Sequence, residues 1–474
     1  SSAKVVYEGE KTDISVGAFH DDTPGWERDF IYRGLTFSTN ELYLRQDDGV
    51  LAKLDLPDGS QKGVFRDWLT VELRQPWEVA GTTHPAGSLL AINFEDFMDG
   101  ARDFEVVFAP TENSSLASSG ATKDYFFINV LEDVKNRIYV LTPGKDGWTR
   151  KPLVGAPEFG TVSISAVDAD ESNEYLMTVA DYLTPTSLLM GEVGKKPEVL
   201  KQLPAFFDAS PYRIEQHFAT SKDGTRVPYF MVSEKDLELD GDNPTLLYGY
   251  GGFEVSLTPN YSASVGKNWL SDGGVYVVAN IRGGGEYGPR WHQAALRENR
   301  NKAYEDFAAV AQDLIARKVT KPARLGIQGG SNGGLLTGNM MVMYPELFGA
   351  VVSQVPLLDM YRYDKLLAGA SWVAEYGDPD VASDWAFLRK YSPYQNVAKD
   401  VDYPPVLFTT STRDDRVHPG HARKMTARML EQGHDVTYYE NIEGGHGGAA
   451  NNAQSAYMGA LAYTFLKQQL FKDK

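Results

Sequence analysis

A serine set among glycines is the clearest candidate in this chain for covalent chemistry. Ser331 lies within Gly-Gly-Ser-Asn-Gly, residues 329–333, after the apolar run 325–328 and before the helical pattern of 335–344. A strand, a tight turn and a helix in this order form a nucleophile elbow, in which glycines relieve clashes and the hydroxyl projects from the sheet. The amino end of the helix directs amide groups and a positive dipole toward a developing oxyanion. We therefore interpret Ser331 as a nucleophile for acyl transfer.

Two later loops carry the base that such a serine needs and the acid that orients this base. After an elbow of this kind, the acid and then the base follow on loops behind later strands. Asp414 and Asp415 follow the apolar run 406–410, and His446 follows the run 436–442 between glycines. His446 is therefore the candidate base. On this pattern alone, either aspartate could be the acid.

Seven other histidines compete with His446, but none has its place behind a late strand. His418 and His421 are spaced like a metal pair, yet no third ligand follows, so we interpret them as the start of a solvated helix. His292, behind a glycine loop, is a weaker rival for the base. The remaining histidines, which we interpret as turn or surface residues, are His20, His84, His217 and His434.

The glycine loop at residues 283–288 formally matches the GxGxxG pattern of dinucleotide-binding proteins. Such a site also requires an acidic residue at the end of a second strand about 20 residues later. Asp306 lies at that distance, but within the helical pattern of 302–318. We therefore reject a dinucleotide site.

The elements that must position these residues differ between the two halves of the chain. Up to about residue 205, short β-rich runs alternate with turns, at intervals that favour propeller blades over a β-sandwich. Beyond that point, apolar strands alternate with helices, which predicts a mostly parallel sheet covered on both faces. We expect one domain at residues 1–205 and a second at 206–474.

Composition excludes several classes of function. The 474 residues include 46 Lys and Arg against 64 Asp and Glu, a net charge of −18, which disfavours nucleic acid and anionic membranes as partners. No apolar run reaches the roughly 18 residues of a membrane span, so we expect a soluble protein, cytoplasmic or periplasmic. The absence of cysteine excludes disulfides, thiolate nucleophiles and Cys-ligated zinc.

Five motifs together resemble the prolyl oligopeptidase family of serine peptidases, and the likeness extends from about residue 210 to the end of the chain. The resemblance implies an α/β-hydrolase domain preceded by a β-propeller. It also implies that neither a metal nor an organic cofactor is needed. The motifs are LYGYGGF at 247–253, ANIRGGGEYG at 279–288, GGSNGG at 329–334, DDRV at 414–417 and GHG at 445–447.

Within this resemblance, each candidate residue acquires a role. Ser331 matches the nucleophile, His446 the base and Asp414, rather than Asp415, the acid. The hydroxyl of Tyr250 and the backbone N–H of Asn332 match the oxyanion hole. The residues that match the substrate-binding positions are Trp372, which stacks on the substrate proline, Arg416, which holds a substrate carbonyl, and the pocket walls Phe253, Tyr376 and Val417.

The resemblance implies an endopeptidase that cleaves short peptides on the carboxyl side of proline through an acyl-enzyme. We expect it to be a monomer. Because a proline ring is apolar and rigid, a flat aromatic slot suits it. A related oligopeptidase with basic-residue or acyl-aminoacyl specificity is the alternative, and Glu375 could then receive a basic side chain. An inert hydrolase domain that serves as a binding scaffold is a more distant alternative.

The length of the first half departs from the family pattern. About 205 residues have room for roughly four blades, whereas the family carries seven blades and a preceding segment. We therefore expect an incomplete propeller that lacks the N-terminal part of the family's chain.

Overall fold

The computed structural model describes residues 4–144 and 147–471. Residues 1–3 and 145–146 of the first predicted domain and 472–474 of the second therefore lie outside it. Its residues form two compact units. One contains residues up to 180 with 186–202 and 287–290, and the other contains 181–185, 203–286 and the chain from 291 onward.

The first unit is built from four four-stranded antiparallel sheets that follow one another along the chain. The sheets have the strand orders β1-β2-β3-β4, β10-β9-β6-β5, β11-β12-β13-β14 and β15-β16-β17-β18, and β7 pairs with β8. The elements are β1 (Ser15–Asp21), β2 (Arg28–Gly34), β3 (Asn40–Arg45), β4 (Leu51–Lys53), β5 (Ser60–Phe65), β6 (Trp68–Leu73), β7 (Trp77–Val79), β8 (Thr82–His84), β9 (Leu89–Asn93), α1 (Phe94–Met98), β10 (Glu105–Phe108), β11 (Ser114–Ala121), β12 (Phe126–Glu132), β13 (Lys135–Thr142), β14 (Thr149–Pro152), β15 (Thr161–Ala166), β16 (Glu174–Ala180), β17 (Ser187–Glu192) and β18 (Glu198–Gln202).

The apolar cores of this unit lie between successive sheets. Strand β12 shows how, because alternate side chains of a strand point to opposite faces. Phe126 and Ile128 enter a core with Phe65 of the preceding sheet, whereas Phe127 enters the next core with Met177 of the following sheet. Sheets stacked face to face in chain order are the arrangement of propeller blades, so the predicted fold class is confirmed for this half.

The second unit is organised around one eight-stranded sheet with the order β19-β20-β22-β21-β23-β24-β25-β26. Strand β20 is antiparallel to both of its neighbours, β19 and β22. The six strands β22, β21, β23, β24, β25 and β26, in their order across the sheet, are parallel to one another. The elements are β19 (Tyr212–Thr220), β20 (Arg226–Glu234), β21 (Thr245–Tyr248), α2 (Ala263–Asn268), β22 (Val275–Ala279), α3 (Pro289–Gln293), α4 (Asn301–Ala316), β23 (Leu325–Gly330), α5 (Asn332–Met343), β24 (Ala350–Gln354), α6 (Val373–Tyr376), α7 (Ala382–Leu388), α8 (Pro393–Asn396), β25 (Val406–Ser411), α9 (Gly420–Gln432), β26 (Val436–Asn441) and α10 (Asn452–Leu470).

Burial explains why this sheet reads as continuous apolar runs. Leu247 of β21, Val277 of β22 and Ile327 of β23 lie in one core with Phe307 of α4. Parallel strands joined by helical crossovers are covered on both faces and therefore lack polar alternation. The predicted α/β-hydrolase fold is confirmed. Within the described residues, no helix combines the length and apolar character that crossing a membrane requires.

The core between α4 and the sheet should be sensitive to truncation. Phe307 is fully buried, so Phe307→Ala should lower the free energy of unfolding of this unit by about 3–5 kcal/mol, through lost burial and the cavity left behind. Ile442→Ala, at a side chain that is 70% exposed, is the control and should change it by less than about 0.5 kcal/mol. Urea unfolding followed by tryptophan fluorescence measures both. Equal losses in the two variants would contradict this view of the core.

Candidate active site

Three of the candidate residues follow parallel strands at one edge of the large sheet. Ser331 comes directly after β23, Asp414 follows the end of β25 by three residues, and His446 follows the end of β26 by five. The register is continuous, because β23 pairs with β24, β24 with β25 and β25 with β26, all in parallel. Loops at the carboxyl ends of parallel strands meet at the same edge, where ligands of such sheets bind.

The turn that carries Ser331 is strained. Ser331 has φ 59° and ψ −114°, a left-handed conformation that is costly for a residue with a Cβ. Its amide donates to the carbonyl oxygen of Gln354 at 2.8 Å, and its own carbonyl oxygen accepts from the amide of Leu335 in α5 at 3.1 Å. The strand and the helix therefore hold Ser331 in a conformation that it would not adopt alone.

The flanking glycines permit a very close approach of backbone to backbone. A Cβ on Gly329 would lie 2.4 Å from the carbonyl oxygen of Gly333, and a Cβ on Gly333 would lie 2.8 Å from that of Gly249. Both distances are too short for a side chain. Gly329 is thus required by the crossing of β23 and α5, and Gly333 by the approach of α5 to the loop after β21, as expected of a nucleophile elbow.

Asp414 and His446 form a hydrogen-bonded pair. The Nδ1 atom of His446 lies 2.8 Å from Oδ2 of Asp414, and Oδ1 of Asp414 accepts from the amides of Arg416 and Val417, each at 2.9 Å. Asp414 is buried, whereas Asp415 is exposed. A proton on Nδ1 that is held by the carboxylate leaves Nε2 free to act as a base.

No hydrogen bond links the Ser331 hydroxyl to His446 or to any other described residue. The structure therefore contains the Asp–His part of the predicted relay, with the serine at the same sheet edge. Hydrogen bonds between a nucleophile and its base are often long without substrate and tighten in the reacting complex.

Tyr250 and Asn332, the two predicted oxyanion donors, are joined directly. The side-chain Nδ2 of Asn332 donates to the backbone carbonyl of Tyr250 at 2.7 Å, and the amide of Asn332 is the first of α5. Burial raises the pKa of the Tyr250 phenol, and the charges of Arg300 and Arg416 offset this only in part. The hydroxyl of Tyr250 therefore stays protonated and able to donate at neutral pH.

The predicted pocket residues form an aromatic cluster. The ring of Phe253 meets those of Trp372 and Tyr376 edge to face, with centroids 6.5 and 5.6 Å apart. Trp372, Tyr376 and Val417 are buried, and Val417 is on the loop of Asp414. Arg416, on the same loop, has an exposed side chain. The cluster offers apolar, edge-to-face walls of the kind that suits a flat apolar ring.

A buried charged group adjoins this cluster, and it includes Arg300, which sequence analysis did not place in the site. Arg300, which is buried, donates to Oε1 of Glu375 at 2.8 Å and also to the side chain of Asn332. Nε2 of His292 lies 2.7 Å from Oε2 of Glu375. His292, a weaker rival for the base, is thus a partner of Glu375. Arg300 carries no sequence signal, since a helix-start arginine is ordinarily solvated.

The other sequence candidates have structural partners. His421, which was expected at the start of a solvated helix, is instead buried. Burial lowers its pKa to about 4, and its Nδ1 accepts from the amide of Asp359 at 3.1 Å. Asp306, placed where a ribose ligand would be sought, instead accepts from the Arg282 guanidinium at 2.6 Å.

In the described part of the chain, one group of carboxylates could hold a cation. It consists of Asp364, Asp378 and Asp380, and Lys365 already pairs with Asp380 at 2.6 Å.

The elbow allows a test with a matched control at the adjacent glycine, Gly330. Gly329→Ala should lower the free energy of unfolding by about 1–3 kcal/mol, because its methyl group would overlap a backbone oxygen. Gly330→Ala should be tolerated, since the nearest atom to its Cβ would be 3.7 Å away. Thermal unfolding of the two variants beside the parent checks this. A Gly329→Ala variant as stable as Gly330→Ala would refute the close crossing.

Comparison with known proteins identifies relatives along the whole chain. The chain is 44% identical to an uncharacterized peptidase, y4nA, of Sinorhizobium fredii over 99% of this chain and 66% of the relative. It is 36% identical to a prolyl endopeptidase of Elizabethkingia miricola over 68% of this chain and 45% of the relative. The chain thus spans less than two thirds of the length of these curated relatives.

A solved structure and a family model agree with these relatives. A post-proline cleaving enzyme from Rickettsia typhi is 35% identical, with a TM-score of 0.91 over 99% of this chain and 69% of that one. The model of the prolyl oligopeptidase family matches residues 261–473, which include Ser331, Asp414 and His446. The chain belongs to the prolyl oligopeptidase family.

Proposed function

We propose that this protein is a serine endopeptidase that hydrolyses short peptides on the carboxyl side of proline. The observation that carries the proposal is the Asp414–His446 pair at the sheet edge where the strained elbow presents Ser331. Every residue invoked lies in the second unit of a single chain, which supports the expectation of a monomer.

In this proposal the reaction passes through an acyl-enzyme. His446 takes the proton of Ser331 as its Oγ attacks the carbonyl carbon, and Asp414 stabilises the resulting imidazolium. The oxyanion receives hydrogen bonds from the hydroxyl of Tyr250 and the amide of Asn332. The C–N bond then breaks as His446 protonates the departing amine. Water, deprotonated by His446, attacks the ester and regenerates Ser331.

The chemistry of the pocket supports proline over a basic residue. The slot of Phe253, Trp372 and Tyr376 is aromatic and suits an apolar ring. Glu375, the candidate ligand for a basic side chain, is buried and already compensated by Arg300 and His292. A second cation there would have to displace partners that are out of water. The relatives named for post-proline cleavage support the same specificity.

Reporter peptides test both the nucleophile and the specificity. The protein should hydrolyse a Gly-Pro reporter with a higher kcat/KM than an otherwise identical Gly-Arg reporter, because the aromatic slot favours the apolar ring. Ser331→Ala should abolish turnover of both reporters and labelling by a fluorophosphonate probe. Faster cleavage after arginine would favour the basic-residue alternative. Absence of labelling in the parent protein would favour an inert scaffold.

The adjacent aspartates provide a matched pair for the role of the acid. Asp414→Asn should lower kcat by about 10⁴-fold, because the amide stabilises the wrong tautomer of His446 and cannot stabilise the imidazolium. Asp415→Asn should leave kcat within about two-fold, since its exposed side chain makes no contact with His446. Steady-state kinetics on the Gly-Pro reporter measures both. Similar losses in the two variants would contradict the assignment.

A further inference from the structure

Arg300 is a fully buried arginine whose guanidinium joins two parts of the candidate site. One nitrogen donates to Oε1 of Glu375 at 2.8 Å, and another donates to Oδ1 of Asn332. The side chain of Arg300 is 1% exposed and that of Glu375 is 5% exposed, so water does not compete with either contact. A charge removed from water in this way is tolerated only when its partners are well placed.

Each acceptor of Arg300 in turn holds a different element of the site. The side chain of Asn332 also accepts from the Tyr376 hydroxyl at 2.7 Å and donates to the Tyr250 carbonyl at 2.7 Å. The carboxylate of Glu375 also accepts from the amide of Phe253 at 3.0 Å. Through two acceptors, Arg300 thus fixes both ends of the segment 250–253.

The segment that is held in this way is strained. Phe253 and Glu254 have φ values of 54° and 58°, a left-handed conformation that is unfavourable for residues other than glycine. A Cβ on Gly252 would lie 2.5 Å from Nδ2 of Asn332 and 2.8 Å from a guanidinium nitrogen of Arg300. The segment therefore packs directly on these two side chains. Strained backbone at a functional site persists only when its surroundings enforce it.

The charge state of Glu375 is consistent with a permanent ion pair. Burial by itself would raise the pKa of this carboxyl, but the hydrogen bond from His292 and the charge of Arg300 outweigh it and hold the pKa below its ordinary value. The carboxylate is therefore ionised at neutral pH and accepts from the amide of Phe253 and from Arg300 together.

We propose that Arg300 is a positioning residue, whose two-pronged contact with Glu375 and Asn332 sets the Tyr250 donor at a fixed position relative to the aromatic pocket. This inference rests on the proposed function. Arg300 touches no reacting atom. It acts through Tyr250, whose carbonyl is bonded to Asn332 and whose hydroxyl supplies the oxyanion hydrogen bond. Lysine cannot replace it, because a single ammonium lacks the planar fork that reaches both acceptors.

A double-mutant cycle with Tyr250→Phe tests whether Arg300 acts through the tyrosine. In the parent background, Arg300→Lys should lower kcat on the Gly-Pro reporter by about 10- to 100-fold and leave KM nearly unchanged. This loss is smaller than the roughly 10²–10³-fold in kcat that removal of an oxyanion donor costs, because the Tyr250 hydroxyl is displaced and not removed. In the Tyr250→Phe background the same substitution should cost less than about three-fold, because the donor that it positions is already absent.

Two measurements separate positioning from general damage to the fold. The kcat values are referred to the endpoint of fluorophosphonate titration, so that unfolded protein is not counted. Arg324→Lys is the matched control, because Arg324 is also buried and paired, with Asp242, but lies next to the start of β23, at the opposite end from Ser331. The control should leave kcat per titrated site within about two-fold.

Equal losses of kcat in the two backgrounds would overturn the proposal, as would an unchanged kcat in Arg300→Lys or an equal loss in the control. If Arg300→Lys does not fold, Glu375→Gln serves in its place. Glu375→Gln keeps the shape of the side chain but removes its charge, which weakens the hydrogen bonds from Arg300 and from the Phe253 amide. We expect the same non-additivity of the kcat losses with Tyr250→Phe. A parent protein that is neither labelled nor active would instead refute the proposed function, and this inference with it.

Discussion

The continuous parallel register from β23 to β26 is the constraint on which the rest of the site depends. Gly330 pairs with Gln354, Gln354 with Thr409 and Thr409 with Tyr439, so the loops behind these strands begin at one edge. A one-residue slip in any pair would turn the buried side chains of that strand toward the opposite face. The close packing of individual side chains on both faces therefore fixes the register, and the register brings together residues that are far apart in the chain.

Three strained residues lie where this edge meets the candidate chemistry. Ser331, Phe253 and Glu254 all have left-handed backbone conformations. Each such residue costs about 1–3 kcal/mol, which the surrounding hydrogen bonds and packing must offset. The hydrogen bond from the Ser331 amide to Gln354 and that from the Phe253 amide to Glu375 are among the contacts that do so. Rigidity at the site is thus supplied by the sheet and by a buried ion pair.

The two units differ in how much of their structure was predictable. Strand β21 is apparent in the sequence as the apolar run 245–248, because it lies in the interior of a parallel sheet. Strands β14 and β18 of the first unit have no such run. All their side chains are exposed, and their backbone pairing with β13 and β17 forms the outer edges of sheets. Backbone pairing leaves no hydrophobic pattern, so this part of the fold had no sequence signal.

Local sequence determined the elbow around Ser331, the alternation of strands and helices, and the candidate loops of Asp414 and His446, because each depends on short-range sterics and apolar periodicity. Spacing alone left Asp414 and Asp415 open, since both share one loop, and the family resemblance favoured Asp414. The tertiary structure places Asp414 against the imidazole. Tertiary structure alone brought the Arg300 guanidinium into hydrogen-bonding contact with Asn332 and Glu375. Arginine is ordinarily a surface residue, and only the fold determines that Arg300 is buried and paired with Glu375. Its role therefore depends on the folded chain and not on the local sequence.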